Sequence, residues 1–133
     1  MANTSSISQH LGDIAAPLRA LLGDLRAEEV LMGDAVDVWT GFLEIRRLAD
    51  AGVVLMADRV AQSRQWATDG AHTPAEWMAL HSGSTVGRSR SELGTSGRLK
   101  ELPLTAGQLR AGNLTAEQAD AVTDAAATNP TAE

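Results

Sequence analysis

The chain is 133 residues long, carries a formal charge of −6 and contains no cysteine. That length suits one small domain with one core. The lack of cysteine excludes disulfides, zinc-thiolate sites and thiol nucleophiles, and the acidic balance argues against a dedicated electrostatic nucleic-acid binder, whose phosphate affinity rests on Lys and Arg. Among the apolar residues 23 are Ala and 16 are Leu, which favours helices, because these two head the helix scale. No run approaches the roughly 18 apolar residues of a membrane span, and MANTSSISQHL has no basic start followed by an apolar core, so neither a membrane span nor a secretory signal is read and the expected location is cytoplasmic.

Ile7, Leu11, Ile14, Leu18, Leu21 and Leu22 recur at three- and four-residue steps, placing them on one stripe of an amphipathic helix. Pro17 within it predicts a kink or a late start. After Gly23 the series Leu31, Ala35, Val38, Phe42, Ile45, Ala49, Gly52, Met56 and Val60 keeps the same spacing to about Gln62. It reads as one helix of about nine turns or as two broken near Ala51-Gly52, since Gly33, Gly41 and Gly52 would each cost about 1 kcal/mol against Ala in a helix interior. About four heptads of this spacing suit a dimeric coiled coil, and a homodimer is one reading. The other is a core helix of a bundle, because Trp39 and Phe42 broaden the stripe and the small residues allow close packing. Trp39, Trp66 and Trp77 are expected as core filler.

Thr68-Asp69-Gly70 reads as a loop. Thr73-Pro74-Ala75-Glu76 is a helix start, with a Thr N-cap, Pro at the first helical position and Glu three residues on. This helix should carry Trp77, Met78 and Leu80 and stop at a left-handed Gly83. Ser84 or Thr85 caps the next helix, which runs toward Leu99 and ends before Leu102-Pro103. Thr105 can open a short helix through Leu109 to Gly112. Thr115-Ala116-Glu117-Gln118 repeats the capping box and opens a last helix that Asn129-Pro130 stops. No alternating strand pattern with hairpin chemistry occurs, so the fold class read is all-α: a helical bundle with one long helix or helix pair followed by short helices that include a helix-turn-helix-like unit. Residues 1–133 form a single helical domain on this reading, with leading helices over 1–68 and a short-helix module over 69–133.

On the helix from Ser84, Ser89, Leu93, Ser96 and Gly97 fall within an arc of about 100° on the Val86 side, while Arg90, Arg98 and Arg88 spread over the arc from about 40° to 200°, so a small-residue face backs an arginine face. From Ser84 to Gly112 the residues Arg88, Arg90, Arg98, Lys100 and Arg110 stand against Glu92 and Glu101, a net +3 inside an acidic chain. Such segregation after two helices joined at a glycine turn is what a DNA-reading helix-turn-helix shows, and Arg88, Arg90 and Arg98 are the candidate phosphate contacts. Ser89 stands where such a unit normally has a buried aliphatic. His10, His72 and His81 lack the i, i+4 spacing of a metal site. Gly94-Thr95-Ser96-Gly97-Arg98 superficially suggests a phosphate loop, but it lacks the P-loop lysine and a preceding strand, so it reads as a weakening of or break in the helix. No nucleophile stands with a base and an orienting group, so no catalytic, metal or cofactor residue is assigned.

Five landmarks over about 60 residues then give a resemblance. They are Asp69 to Ala79 (DGAHTPAEWMA), Ser82-Gly83-Ser84, Arg98 to Pro103 (RLKELP), Leu109 to Thr115 (LRAGNLT), and Gln118-Ala119 with Ala125-Ala126-Ala127 before Asn129-Pro130. In order and spacing this stretch resembles the domain of unknown function 222, also called the 13E12 repeat family, which is abundant in actinobacteria. Residues 1–68 fit the family's less distinctive leading helices. The resemblance implies an HNH nuclease domain C-terminal to this region, whose His-Asn-His constellation this chain lacks. It also implies that the chain is a fragment or a truncated reading frame, since family members continue past the alanine-rich helix. The leucine-proline, glycine and leucine-threonine run is similar as well to the DNA-binding helices of ParB-type partition proteins, from which Ser89 departs. The expected function is a non-catalytic helical module of an HNH-endonuclease-type protein that assists DNA positioning. The alternative is a structural or protein-interaction module that touches no nucleic acid.

Overall fold

The computed structural model describes residues 4–128, and every regular element among them is helical, as the composition and periodicity require. The order is α1 (Thr4–Asp24), α2 (Ala35–Ser63), α3 (Gln65–Thr68), α4 (Pro74–Ser82), α5 (Val86–Leu99), α6 (Pro103–Arg110) and α7 (Ala116–Thr128), with 3-10 turns at Ala27–Glu29 and Met32–Asp34. The chain divides after Trp39 into two compact units.

In the first unit α1 continues through Pro17, so no late start occurs. A proline removes one i→i−4 bond, and a helix of 21 residues carries that loss within a longer ladder. Ile7, Leu11, Ile14, Leu21 and Leu22 on α1 are each 49–62% exposed. Gly33 lies in the second 3-10 turn rather than inside a helix. No described residue between 6 and 39 is buried.

Helix α2 is unbroken across Gly41 and Gly52, which decides for one helix over two and starts it four residues later than the periodicity suggests. Its buried face is Ala51, Val54 and Ala57, not the expected Ala49, Gly52, Met56 line. The reason lies in the partner. Beside that face the Asp58 N–H donates to Ser96 of α5, while Val53 and Met56, half-exposed, line an open apolar cleft with Trp77 and Met78. The tryptophans correct a second expectation, since none of the three is buried. Trp39 is 63% exposed. Trp66 and Trp77 are half-buried, with each indole N–H donating to an oxygen, on Ala61 at 2.9 Å and on Asp69 at 2.9 Å.

The chain punctuation after α2 follows side-chain chemistry closely. Arg64 takes a left-handed conformation (φ 59°) that ends α2 and opens the single turn α3. Asp69 then accepts from Gln65 Nε2 and Trp77 Nε1, tying α3 to α4. Thr73 caps α4 by accepting from the Glu76 N–H at 3.2 Å, and Gly83, at φ 67°, ends it. Thr85, not Ser84, caps α5 by accepting from the Arg88 N–H at 3.0 Å. Helix α6 corrects the expected start at Thr105: Leu102 is its N-cap and Pro103 its first helical residue, because proline needs no N–H there and its φ is already helical. Thr105 is buried inside it instead. Gly112, at φ 78°, has the Leu48 Cδ2 only 3.0 Å from where a Cβ would stand, so both backbone and space require glycine. Thr115 and Gln118 close a full capping box on α7 at 2.9 and 3.1 Å. The expected stop at Asn129-Pro130 lies outside the described residues.

Helix α5 packs against α4, α6 and α7. It runs without interruption through Gly94-Thr95-Ser96-Gly97, against the expected weakening. Tertiary contact explains this: Thr95 and Ser96 are buried, with Thr95 donating to Asp120 at 3.1 Å and Ser96 accepting from the Asp58 N–H at 3.0 Å. The core beside it is built of small side chains: Ala51, Ala106, Ala116 and Ala119 around Val54, Leu99 and Leu109.

Candidate nucleic-acid interface

The three arginines expected to form one face on α5 divide into two environments. Arg98 is folded onto α7: its Nη2 meets Asp120 Oδ1 at 2.8 Å and its Nε donates to Thr123 at 3.0 Å. Thr95 donates to the same carboxylate at 3.1 Å. Burial pushes the Asp120 carboxyl up, but hydrogen bonds from Ser91, Thr95 and Arg98, with the arginine's charge, outweigh it and hold this group below the usual carboxylate range. Arg98 is therefore already committed to an internal carboxylate.

Arg88 and Arg90 lie in the first turns of α5 and are both exposed, whereas Ser89 between them is 1% exposed. The smallness of Ser89 lets α5 sit close to its neighbours, and burial of that side sends the flanking arginines outward. Arg88 reaches Asp50 at a loose 3.9 Å, and Arg90 has no ion pair among the described residues. Arg46 and Arg47 of α2 join Arg88 around one recess, but Asp50 and Glu117 stand in the same wall.

Glu92 is the acid buried beside this group. Burial pushes its carboxyl up, Arg88 pulls it down, and Asp50 and Glu117 push it further up. A carboxyl whose folded value is raised favours the folded state fully only below its unfolded value, and this contribution is lost as pH rises through the folded value. Glu92→Gln is therefore expected to raise the Tm by a few degrees at neutral pH, and the gain should vanish in melts near pH 3, where Glu92 is protonated in both states. An unchanged or lowered Tm at pH 7 would contradict the raised ionisation.

The remaining cations gather elsewhere. Arg59 of α2, Lys100 at the end of α5 and Arg110 of α6 line a recess of about 420 Å³ with Asp58, which pairs with Lys100. Lys100 and Arg110 were visible in the sequence as part of its basic stretch. Arg59 was not, since it belongs to a helix whose charges look balanced until α5 and α6 pack beside it. His81 is exposed, stacks on Trp77 at 3.7 Å and donates to that residue's carbonyl; His72 is exposed ahead of α4. Among the described residues no three His, Asp or Glu side chains gather as a metal site needs. No described helix is long and apolar enough to cross a membrane.

Comparison of the chain with family models, with curated proteins and with solved structures finds no match in any of the three.

Proposed function

We propose that this chain is a non-catalytic helical module of an HNH-endonuclease-type protein, as its resemblance to the domain of unknown function 222 implies, and that it helps to position DNA. The observation that carries the DNA reading is the outward pair Arg88 and Arg90 at the start of α5. In helix-turn-helix readers the N-terminal residues of the second helix meet the duplex, and the helix dipole adds to their attraction for phosphate. Here α4 and α5 are joined through Gly83-Ser84-Thr85, and the two arginines occupy that position with their charges largely uncommitted. Arg98 has no part in this role, because contact with phosphate would strip Asp120 of its partner.

Fluorescence anisotropy of labelled duplex and single-stranded DNA across a salt series tests the reading. Each phosphate contact adds about −0.9 to the slope of log K against log salt for duplex DNA, so replacing Arg88 and Arg90 by Ala should flatten the slope by about 1.8. Failure of the folded chain to bind either DNA at low salt would overturn it.

A second reading, the interaction module, is favoured by the leading segment. Residues 1–39 carry Arg19 and Arg26 against Asp13, Asp24, Glu28, Glu29, Asp34 and Asp37, a net −4 that repels DNA. The steps from Ile7 through Leu11, Ile14 and Leu18 to Leu21 alternate four and three, as pairing helices require. On this reading α1 pairs with α1 of a second copy, and a folded chain that ignores DNA is its signature.

A further inference from the structure

We propose that the recess between α2, α5 and α6 is a phosphate-group site, in which Arg59, Lys100 and Arg110 supply the charge and the Ser96 hydroxyl donates from the inner wall. The proposal deepens the DNA reading by naming a seat for a phosphate, and it stands on groups that reading does not use.

Three helices contribute one cation each, and the acid lining the recess with them, Asp58, already serves Lys100. Asp58 Oδ2 also accepts from Gln62 Nε2 at 2.7 Å, and Gln62 Oε1 in turn accepts from Arg59 Nη1 at 3.1 Å. This chain of bonds holds Lys100 and Arg59 in place while leaving most of their N–H groups unspent. A lysine has three donors and an arginine five, so each keeps at least two for a ligand. Arg110 has no ion pair among the described residues. Lys100 holds the Asp58 carboxyl below the usual range against the opposing effect of burial, and Gln62 adds to this, so the carboxylate stays charged at neutral pH.

Ser96 distinguishes the recess from a patch of surface cations. It is 5% exposed, lines the recess, and accepts from the Asp58 N–H, while its hydroxyl also carries a proton that can donate. A tetrahedral dianion or a diester meets both requirements: it accepts one short hydroxyl bond at depth and several charge-assisted bonds at the rim. Leu55 and Leu99 add apolar wall, and the volume of about 420 Å³ falls within the range of about 300–1,000 Å³ usual for small-ligand sites. The recess at Arg46, Arg47 and Arg88 does not meet these requirements, because Asp50 and Glu117 line it and Glu92 lies beside it.

The phosphate can come from a nucleic-acid backbone or from a free phosphate compound, and titration calorimetry on the full chain separates them. Inorganic phosphate, pyrophosphate and an oligothymidylate are titrated at constant ionic strength into the wild type and into Arg59→Gln, Arg110→Gln and Ser96→Ala, with helicity followed by circular dichroism. The wild type is expected to bind pyrophosphate more tightly than phosphate, and each arginine variant to lose about tenfold with helicity kept. Oligothymidylate binding that weakens in the same variants assigns the seat to a backbone phosphate. Pyrophosphate binding without oligothymidylate binding supports the site and assigns it to a free phosphate compound. Oligothymidylate binding insensitive to Arg59→Gln and Arg110→Gln overturns the site and leaves the DNA reading intact. A folded wild type that binds none of the three probes overturns the proposal.

Discussion

Leu109→Ala is expected to destabilise the chain by about 2–5 kcal/mol, a large share of the about 5–15 kcal/mol that holds a typical domain together. Leu109 is 0% exposed and is one of the few large side chains in a core otherwise built of Ala, Thr and Ser. Small neighbours on helical backbones cannot lean into the space a leucine leaves, so the cavity stays open and its cost is added to the lost transfer energy. Urea denaturation followed at 222 nm checks this through the midpoint and slope. A loss below about 1 kcal/mol would mean that α6 does not contribute to the cooperative unit.

Arg98→Ala is expected to act on stability and not on DNA affinity. Its guanidinium joins α5 to α7 through Asp120 and Thr123, and removing it leaves a partly buried carboxylate with one charge partner fewer. Such losses run to about 1–3 kcal/mol, and partial exposure of both side chains places this one toward the lower end. Asp120 has a folded value lowered below its unfolded one, so its contribution is present above the unfolded value and is lost as pH falls through the folded value. The destabilisation by Arg98→Ala should accordingly be full at pH 7 and shrink in acid once the pH falls below the ordinary carboxylate range. The same variant should leave the salt slope of DNA binding unchanged, whereas a change by the about 0.9 of one phosphate contact would return Arg98 to the interface.

The Thr73, Gly83 and Thr115 boundaries were legible because caps are local: a hydroxyl three residues before an N–H, or a glycine at a left-handed turn, needs no distant partner. The Thr105 boundary failed for a local reason too, since Pro103 is a better first residue and the threonine was wanted in the core. The face of α2 was misplaced because periodicity within one helix does not say which neighbour that helix meets. The buried face is Ala51, Val54 and Ala57, and the Asp58 N–H next to it donates to Ser96 of α5, a partner the spacing of α2 does not contain.

The candidate site was half legible. The helical wheel put Arg88, Arg90 and Arg98 in one broad arc, and only Asp120 and Thr123 on α7, more than twenty residues on, show that Arg98 is turned onto that helix. Arg59 was invisible for the converse reason: its neighbours in the recess lie on α5 and α6. By itself the sequence determined the helical class, most caps and the net +3 of residues 84–112, because propensity, capping and charge are properties of residues and their near neighbours. Only the tertiary structure decided which helix faces were buried and which arginines were already occupied. Both depend on contacts between distant segments, whose geometry no local spacing contains.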